Sequence, residues 1–202
     1  MLLLRFLKPV LPSLTWNFPG KEKILYLTFD DGPIPELTPW VLDLLRVYNA
    51  KATFFCLGKN IQQHPEIYSE ILKHGHSTGN HTFHHLNGWK TNNQAYVDDI
   101  VKCSTLVHSR LFRPPYGKIS PAQIKLLRRN YRIMMWDVLS KDYNQKLSGT
   151  DCFDRVRRGV KPGSVVVFHD SIKAGPRLKV ALPLVLEHFR AEGYRFERIP
   201  DS

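Results

Sequence analysis

The chain alternates short, nearly unbroken apolar runs with longer stretches in which apolar residues recur every three or four positions. The run at 24–29 (ILYLTF) reads as a buried strand, followed by the turn residues Asp30-Asp31-Gly32-Pro33. Residues 37–48 place Leu37, Val41, Leu44, Leu45 and Tyr48 on one helical face. A strand at 51–57, a helix at 65–74 stopped by Gly75, and a short extended piece at 75–80 follow. The spacing then predicts a long amphipathic helix at 94–110 and a short strand at 111–113 broken by Pro114-Pro115. Ser120 opens a helix with Pro121 in its first position, reaching 129. Strands at 131–136, 164–168 and 194–199 and helices at 151–160 and 178–192 complete the pattern. Alternating strands and helices with no linker or repeat imply an α/β fold of parallel strands. About seven such strands suit a compact barrel better than an open sheet.

Composition narrows the class. Among 202 residues, 43% are hydrophobic and 23% charged, which excludes a disordered tail, a collagen-like fibre and a disulfide miniprotein. Cys56, Cys103 and Cys152 are odd in number and far apart, so no disulfide framework or thiolate metal site is expected. Cys56 lies in an apolar run, as a buried and inert thiol would. Lys and Arg number 29 against 18 Asp and Glu, giving +11. That excess admits nucleic acid, an anionic membrane or an acidic polymer as partner, or simply a solvated surface.

Residues 1–21 read as an apolar and basic extension ahead of a domain at 22–202. Arg5 and Lys8 interrupt the apolar stretch and no small-x-small cleavage site follows, so a cleavable signal peptide is not expected. The stretch is too short to span a bilayer. Residues 1–18 either cover one end of the domain or touch a membrane surface weakly. A cytoplasmic location, or a peripheral one at the cell envelope, follows from this reading, with a monomer as the expected state.

Five polar clusters fall where the apolar runs end, the position of the chemistry in a barrel of this kind. Asp30 and Asp31 are adjacent carboxylates, costly at a buried strand end unless a cation or proton intervenes. One could bind a metal and the other act as a base, although a plain polar turn explains Asp-Gly-Pro equally well. His81 and His85 are four apart and share a face if the chain turns helical after Asn80; His84 competes on spacing, and His76 reads as a structural histidine. Two imidazoles and a carboxylate would leave an open coordination position, as catalytic zinc sites do. In Arg113-Pro114-Pro115-Tyr116-Gly117 the prolines hold the Tyr116 N–H in place, a device for stabilising an oxyanion, and Arg113 can grip a carboxylate in bidentate fashion. Further on lie 136–143 (WDVLSKDY) and His169-Asp170. His169 ends an apolar strand, placed to exchange protons, and a nearby carboxylate would keep it protonated.

With TFDDGP, H-T-x-x-H and R-P-P-Y in this order, residues 22–199 resemble the polysaccharide deacetylase family, also called the NodB homology domain or carbohydrate esterase family 4. The resemblance implies a distorted (β/α) barrel and a divalent metal held by Asp31, His81 and His85. Zinc is the usual ion, and cobalt or nickel suits the same donors. It further implies Asp30 as general base, His169 as general acid, Tyr116 as oxyanion donor, Arg113 as the residue that positions the base, and Asp142 as the one that tunes the acid. Trp89 and Tyr116 are candidates to stack on sugar rings, and Val167 stands at the apolar wall where leucine is usual. Tyr143 replaces a tryptophan, Leu139 an aspartate and His84 a serine, changes that bear on the sugar pocket and leave the catalytic groups intact. The activity implied is removal of N-acetyl groups from a glycan containing N-acetylglucosamine. An O-acetyl esterase and an inactive glycan-binding module are the alternatives, and the motifs displace nucleic acid as a partner.

Overall fold

A computed structural model of the protein describes residues 13–200. Nine strands lie within that span: β1 (Leu14–Thr15), β2 (Ile24–Asp30), β3 (Ala52–Cys56), β4 (Ser77–Asn80), β5 (Leu111–Phe112), β6 (Arg132–Met134), β7 (Val138–Leu139), β8 (Ser164–His169) and β9 (Arg195–Phe196). Seven α-helices connect them: α1 (Thr38–Val47), α2 (Gly58–Gln63), α3 (Pro65–Lys73), α4 (Asn93–Ser104), α5 (Pro121–Leu127), α6 (Gly149–Gly159) and α7 (Gly175–Ala191). All strand pairs are parallel, in the order β1-β6-β5-β4-β3-β2-β8-β7, with β9 beside the start of β2. This is the distorted (β/α) barrel, with more strands than the seven expected.

Strand alternation sorts the side chains into two layers. Leu25, Leu27 and Phe29 of β2, Phe54 of β3, and Val166 and Phe168 of β8 face outward into one core with α1, α6 and α7. Phe29 stacks on Phe54 at 5.0 Å. Each such side chain, fully buried, contributes about 1.5–3 kcal/mol. Tyr26, Phe55, Leu111, Met134 and Val165 form a separate cluster inside the barrel. Both faces of β2, β3 and β8 are therefore apolar, which explains their unbroken hydrophobic runs.

Several boundaries shift. The helix predicted at 94–110 ends at Ser104, because the chain needs the remaining residues to turn into β5. Ser120 caps α5 with a reciprocal capping box, and Pro121 is its first residue, as expected. Helix α7 begins at Gly175, ahead of the predicted 178, and accommodates Pro183. Strand β1, helix α2 and strand β7 have no counterpart in the sequence reading, being too short to show a period.

Residues 1–12 of the predicted extension lie outside the described residues. Leu14 and Thr15 pair with Ile133 and Met134, Trp16 is buried, and Asn17 bridges to Ser164. Residues 14–18 thus fill the gap between β6 and β8. Asp137 fastens the join, accepting from Asn17 Nδ2 (3.1 Å), Ser164 Oγ (3.0 Å) and the Val165 N–H (2.8 Å). Gly163 completes it: its N–H donates to the Ile24 carbonyl, and its own carbonyl accepts from the Phe18 N–H. Gly163 has φ +80°, and a Cβ there would sit 1.7 Å from the Phe18 carbonyl oxygen. Gly163→Ala is expected to cost about 2 kcal/mol or more, read as a lower urea midpoint. An unchanged midpoint would show that this seam is not needed.

Candidate active site

The inward alternation that places Tyr26 and Val165 low in the barrel brings Thr28, Asp30, Val167 and His169 to its upper end, where Asp30 and His169 are register partners on β2 and β8. Arg113, at the end of β5, is fully buried among them. Its Nη1 donates to Asp30 Oδ1 and to Thr28 Oγ1, both at 2.7 Å, and its Nη2 donates to the Met135 carbonyl at 3.2 Å. The grip on Asp30 is through one oxygen rather than the bidentate pair expected, since the rest of the guanidinium is engaged by Thr28 and main-chain carbonyls. The Phe55 ring lies 4.0 Å below the guanidinium.

Asp31 departs from the strand with φ 85° and turns its carboxylate towards His81 and His85. Asp31 Oδ1 lies 3.2 Å from His85 Nε2 and 3.7 Å from His81 Nε2, and one ligand atom from each residue falls within 4.8 Å of the others. The segment after Asn80 is not helical. Positive φ angles at Thr82 (67°) and His85 (62°) fold it into a loop that still brings the two imidazoles together. His84 points elsewhere, its ring half exposed and its Nδ1 on Asp99. His76 is the structural residue expected, buried and accepting from the Ala52 N–H; burial lowers it to about 4.

These donors fit a divalent ion. Asp31 Oδ1 is buried and has no hydrogen-bond partner, an expensive state for a carboxylate oxygen without a cation. His81 Nδ1–H donates to the Arg113 carbonyl at 2.7 Å, which leaves Nε2 as the coordinating nitrogen. Burial lowers His81 to about 4, so it is a neutral imidazole. Burial opposes the Asp31 carboxylate, but the imidazoles of His85, His169 and His81 outweigh it and hold Asp31 below the usual carboxylate range. Two nitrogens and one oxygen leave coordination positions open.

On the opposite side, Asp142 grips His169 twice, Oδ2 accepting the backbone N–H and Oδ1 facing Nδ1, both at 2.7 Å. Burial works against the charged ring, but Asp142 prevails and raises His169 to about 9. With Nδ1 so held, Nε2 is the nitrogen left to exchange protons. Tyr116 has φ 60° and is exposed, with its hydroxyl 3.1 Å from His85 Nδ1. Trp89 is 67% exposed, its Nε1–H on the Ile119 carbonyl and Lys118 over its face. Val167 is buried, 1% exposed, and therefore floors the site one layer below His169 instead of offering a surface to solvent.

The sequence reading missed the residues that shape these loops. Asp170 is buried and accepts from the Gly32 N–H (3.0 Å) and the Thr38 hydroxyl (2.6 Å), and burial raises it to about 8. A Cβ on Gly32 would collide with that carboxylate at 1.9 Å. Asp99 Oδ2 accepts from the Phe83 and His84 N–H groups, and Asn80 Oδ1 from the Thr82 N–H. Six described non-glycine residues have positive φ, and five of them (Asp31, Thr82, His85, Tyr116 and Lys141) belong to these loops. Stored strain of this kind gathers at functional sites.

Comparison with known proteins accords with this geometry. The family model for polysaccharide deacetylases matches residues 18–131. The chain belongs to the polysaccharide deacetylase family. Membership makes it a hydrolase. A peptidoglycan-N-acetylglucosamine deacetylase of Bacillus cereus is 35% identical across 100% of this chain and 97% of its own. A chitooligosaccharide deacetylase of Azorhizobium caulinodans is 29% identical over 89% of this chain and 94% of its own. A solved peptidoglycan N-acetylglucosamine deacetylase, in complex with 4-naphthalen-1-yl-N-oxidanyl-benzamide, superimposes with a TM-score of 0.89 at 32% identity. The match covers 96% of this chain and 94% of that one.

The His169–Asp142 pair in this deacetylase-family chain gives a direct test. His169 is raised, so the pairing contributes stability fully present below about 6.5 and lost as pH rises through about 9. An NMR titration of the His169 ring should inflect near 9 in the wild type. In Asp142→Asn it should inflect clearly lower, since burial is then opposed only by the weaker pull of Asp31 and Asp30. Equal inflections in the two proteins would remove Asp142 as the cause.

Proposed function

We propose that the protein is a metal-dependent N-deacetylase acting on a glycan that contains N-acetylglucosamine, of the peptidoglycan or chitin type. The observation that carries this reading is the orphaned Asp31 oxygen between two imidazoles, flanked by a carboxylate on one side and a raised histidine on the other. The whole-length relative named for peptidoglycan N-acetylglucosamine favours that glycan.

Asp31, His81 and His85 would hold the ion, with zinc the natural choice for these donors. When bound, such an ion polarises the acetyl carbonyl and acidifies water. Asp30, fixed by Arg113, takes the proton from the attacking water. Arg113 leaves Asp30 Oδ2 clear of its own contact, so a second oxygen remains to act as base. The Tyr116 N–H donates to the oxyanion that develops on the acetyl oxygen. His169 Nε2 gives its proton to the departing sugar amine, which leaves poorly as an anion. Trp89 and Tyr116 offer exposed rings for sugar stacking.

Acetate release should be measured on chitin oligomers, peptidoglycan and acetylated xylan, with bound metal measured on the same sample. Release from the N-acetylated glycans, lost on chelation and restored by zinc, is expected; release from xylan alone would favour an O-acetyl esterase. Asp30→Ala should reduce turnover about a hundredfold or more while metal content persists. His81→Ala should lose both. Near-normal turnover in Asp30→Ala would remove Asp30 as the base.

A further inference from the structure

The +11 charge is not spread evenly over the barrel. At the upper end, among the loops that follow the strands, Asp30, Asp31 and Asp142 offset cations such as Lys118, Lys141 and Lys173. The loops that precede the strands, at the opposite end, are rich in cations. The loops before β2, β3, β5, β6, β8 and β9 hold seven Lys and Arg against two acidic residues, Glu22 and Glu192.

Five exposed cations define the basic end: Lys21 before β2, Arg128 and Arg129 before β6, Lys161 before β8, and Arg198 after β9. None of the five is in an ion pair among the described residues. The intervening chain makes their loops neighbours. Strand β1 lies on β6, Asn17 bridges to Ser164, the Phe18 N–H donates to the Gly163 carbonyl, and β9 pairs with the first residues of β2. Cations at helix C-termini answer the helix dipole, and Arg128 and Arg129 have that ordinary explanation. Lys161, next after the α6 C-cap Val160, shares that explanation, whereas Lys21 and Arg198 stand at no helix end.

An anionic surface could be a soluble polymer or a bilayer, and a second feature separates them. The described chain enters this end at residue 13, beside β6. The sequence immediately ahead, MLLLRFLKPVLP, carries only Arg5 and Lys8 among apolar residues. A soluble polyanion uses charge alone, whereas a bilayer accepts both charge at its headgroups and apolar residues beneath them.

We propose that the end of the barrel formed by the loops before the strands is a docking surface for an anionic lipid bilayer. Docked this way, the barrel would turn the Asp31, His81 and His85 end away from the membrane.

The test is co-sedimentation of the full chain with phosphatidylcholine vesicles containing about one third phosphatidylglycerol. Binding is expected at about 0.05 M salt, much weaker at about 0.3 M, and absent from phosphatidylcholine alone. The variant Arg128→Glu/Arg129→Glu/Lys161→Glu should weaken vesicle binding about a hundredfold or more. Acetate release from soluble chitin oligomers should be unchanged in that variant, since its residues lie at the far end from the candidate site. Circular dichroism checks that it is folded. Leu3→Glu/Leu7→Glu should weaken vesicle binding further than one charge-neutral change would. Failure to bind anionic vesicles at low salt, equal binding to neutral vesicles, or indifference to the charge reversal would each overturn the proposal. Capture by soluble polyglutamate without vesicle binding would assign the surface to a polymer instead. The deciding readouts are of vesicle binding, so they stand apart from whether the glycan assignment holds.

Discussion

Arg113 is a fully buried guanidinium, and burying it has consequences throughout the site. A charge in that position must be answered by an anion and by acceptors for its remaining donors. Asp30 supplies the anion, while Thr28 and the main-chain carbonyls of Met134 and Met135 supply the acceptors. Those partners come from β2 and from the end of β6, so the ion pair spans the barrel interior. The same residue's carbonyl takes the His81 Nδ1–H and thereby sets which nitrogen His81 presents to Asp31. One residue therefore couples the proposed base to the proposed metal ligands. Buried pairs of this kind seldom exceed an apolar replacement in stability, which suggests that this one is kept for what it positions.

Around that pair the site divides into two electrostatic halves. On one side, neutral His81 and the anionic Asp31 make a pocket for a cation. On the other, Asp142 supports a protonated His169. A cation site beside a charged imidazole would be self-defeating if the two faced each other directly. Asp30 and Asp31 both act on His169 as anions, and their carboxylates take different partners, Arg113 for Asp30 and His85 for Asp31. The adjacent aspartates thus serve opposite neighbours, which is the use of such a pair that a plain turn does not explain.

Much of this was legible in the sequence, for identifiable reasons. Strands buried on both faces write unbroken apolar runs, so β2, β3 and β8 were plain, and with them the strand ends that carry Asp30 and His169. Cys56 was readable as a buried thiol for the same reason, and burial raises it well above its usual range. What escaped were contacts between distant segments. Asp99 lies on a helix with nothing local to mark it, yet it shapes the histidine loop 15 residues earlier in sequence. Asp170 follows His169 in sequence, yet its partners are Gly32 and Thr38. The spacing of His81 and His85 suggested a helix, and positive φ angles achieve the same convergence by a loop. Two-residue strands such as β1 leave no period to detect. The net charge was readable as a number, but only the topology shows at which end of the barrel it collects.

The most direct test of the central role of the Arg113–Asp30 pair compares Arg113→Met with the double variant Arg113→Met/Asp30→Leu. The single change leaves Asp30 buried and unpaired and should cost about 3–5 kcal/mol in urea unfolding. The double change replaces the pair with apolar side chains and should recover most of that stability, while acetate release stays at background. If the double variant releases acetate at a rate near the wild type, or if it is no more stable than the single one, the pair is not held in place for chemistry and this account is wrong.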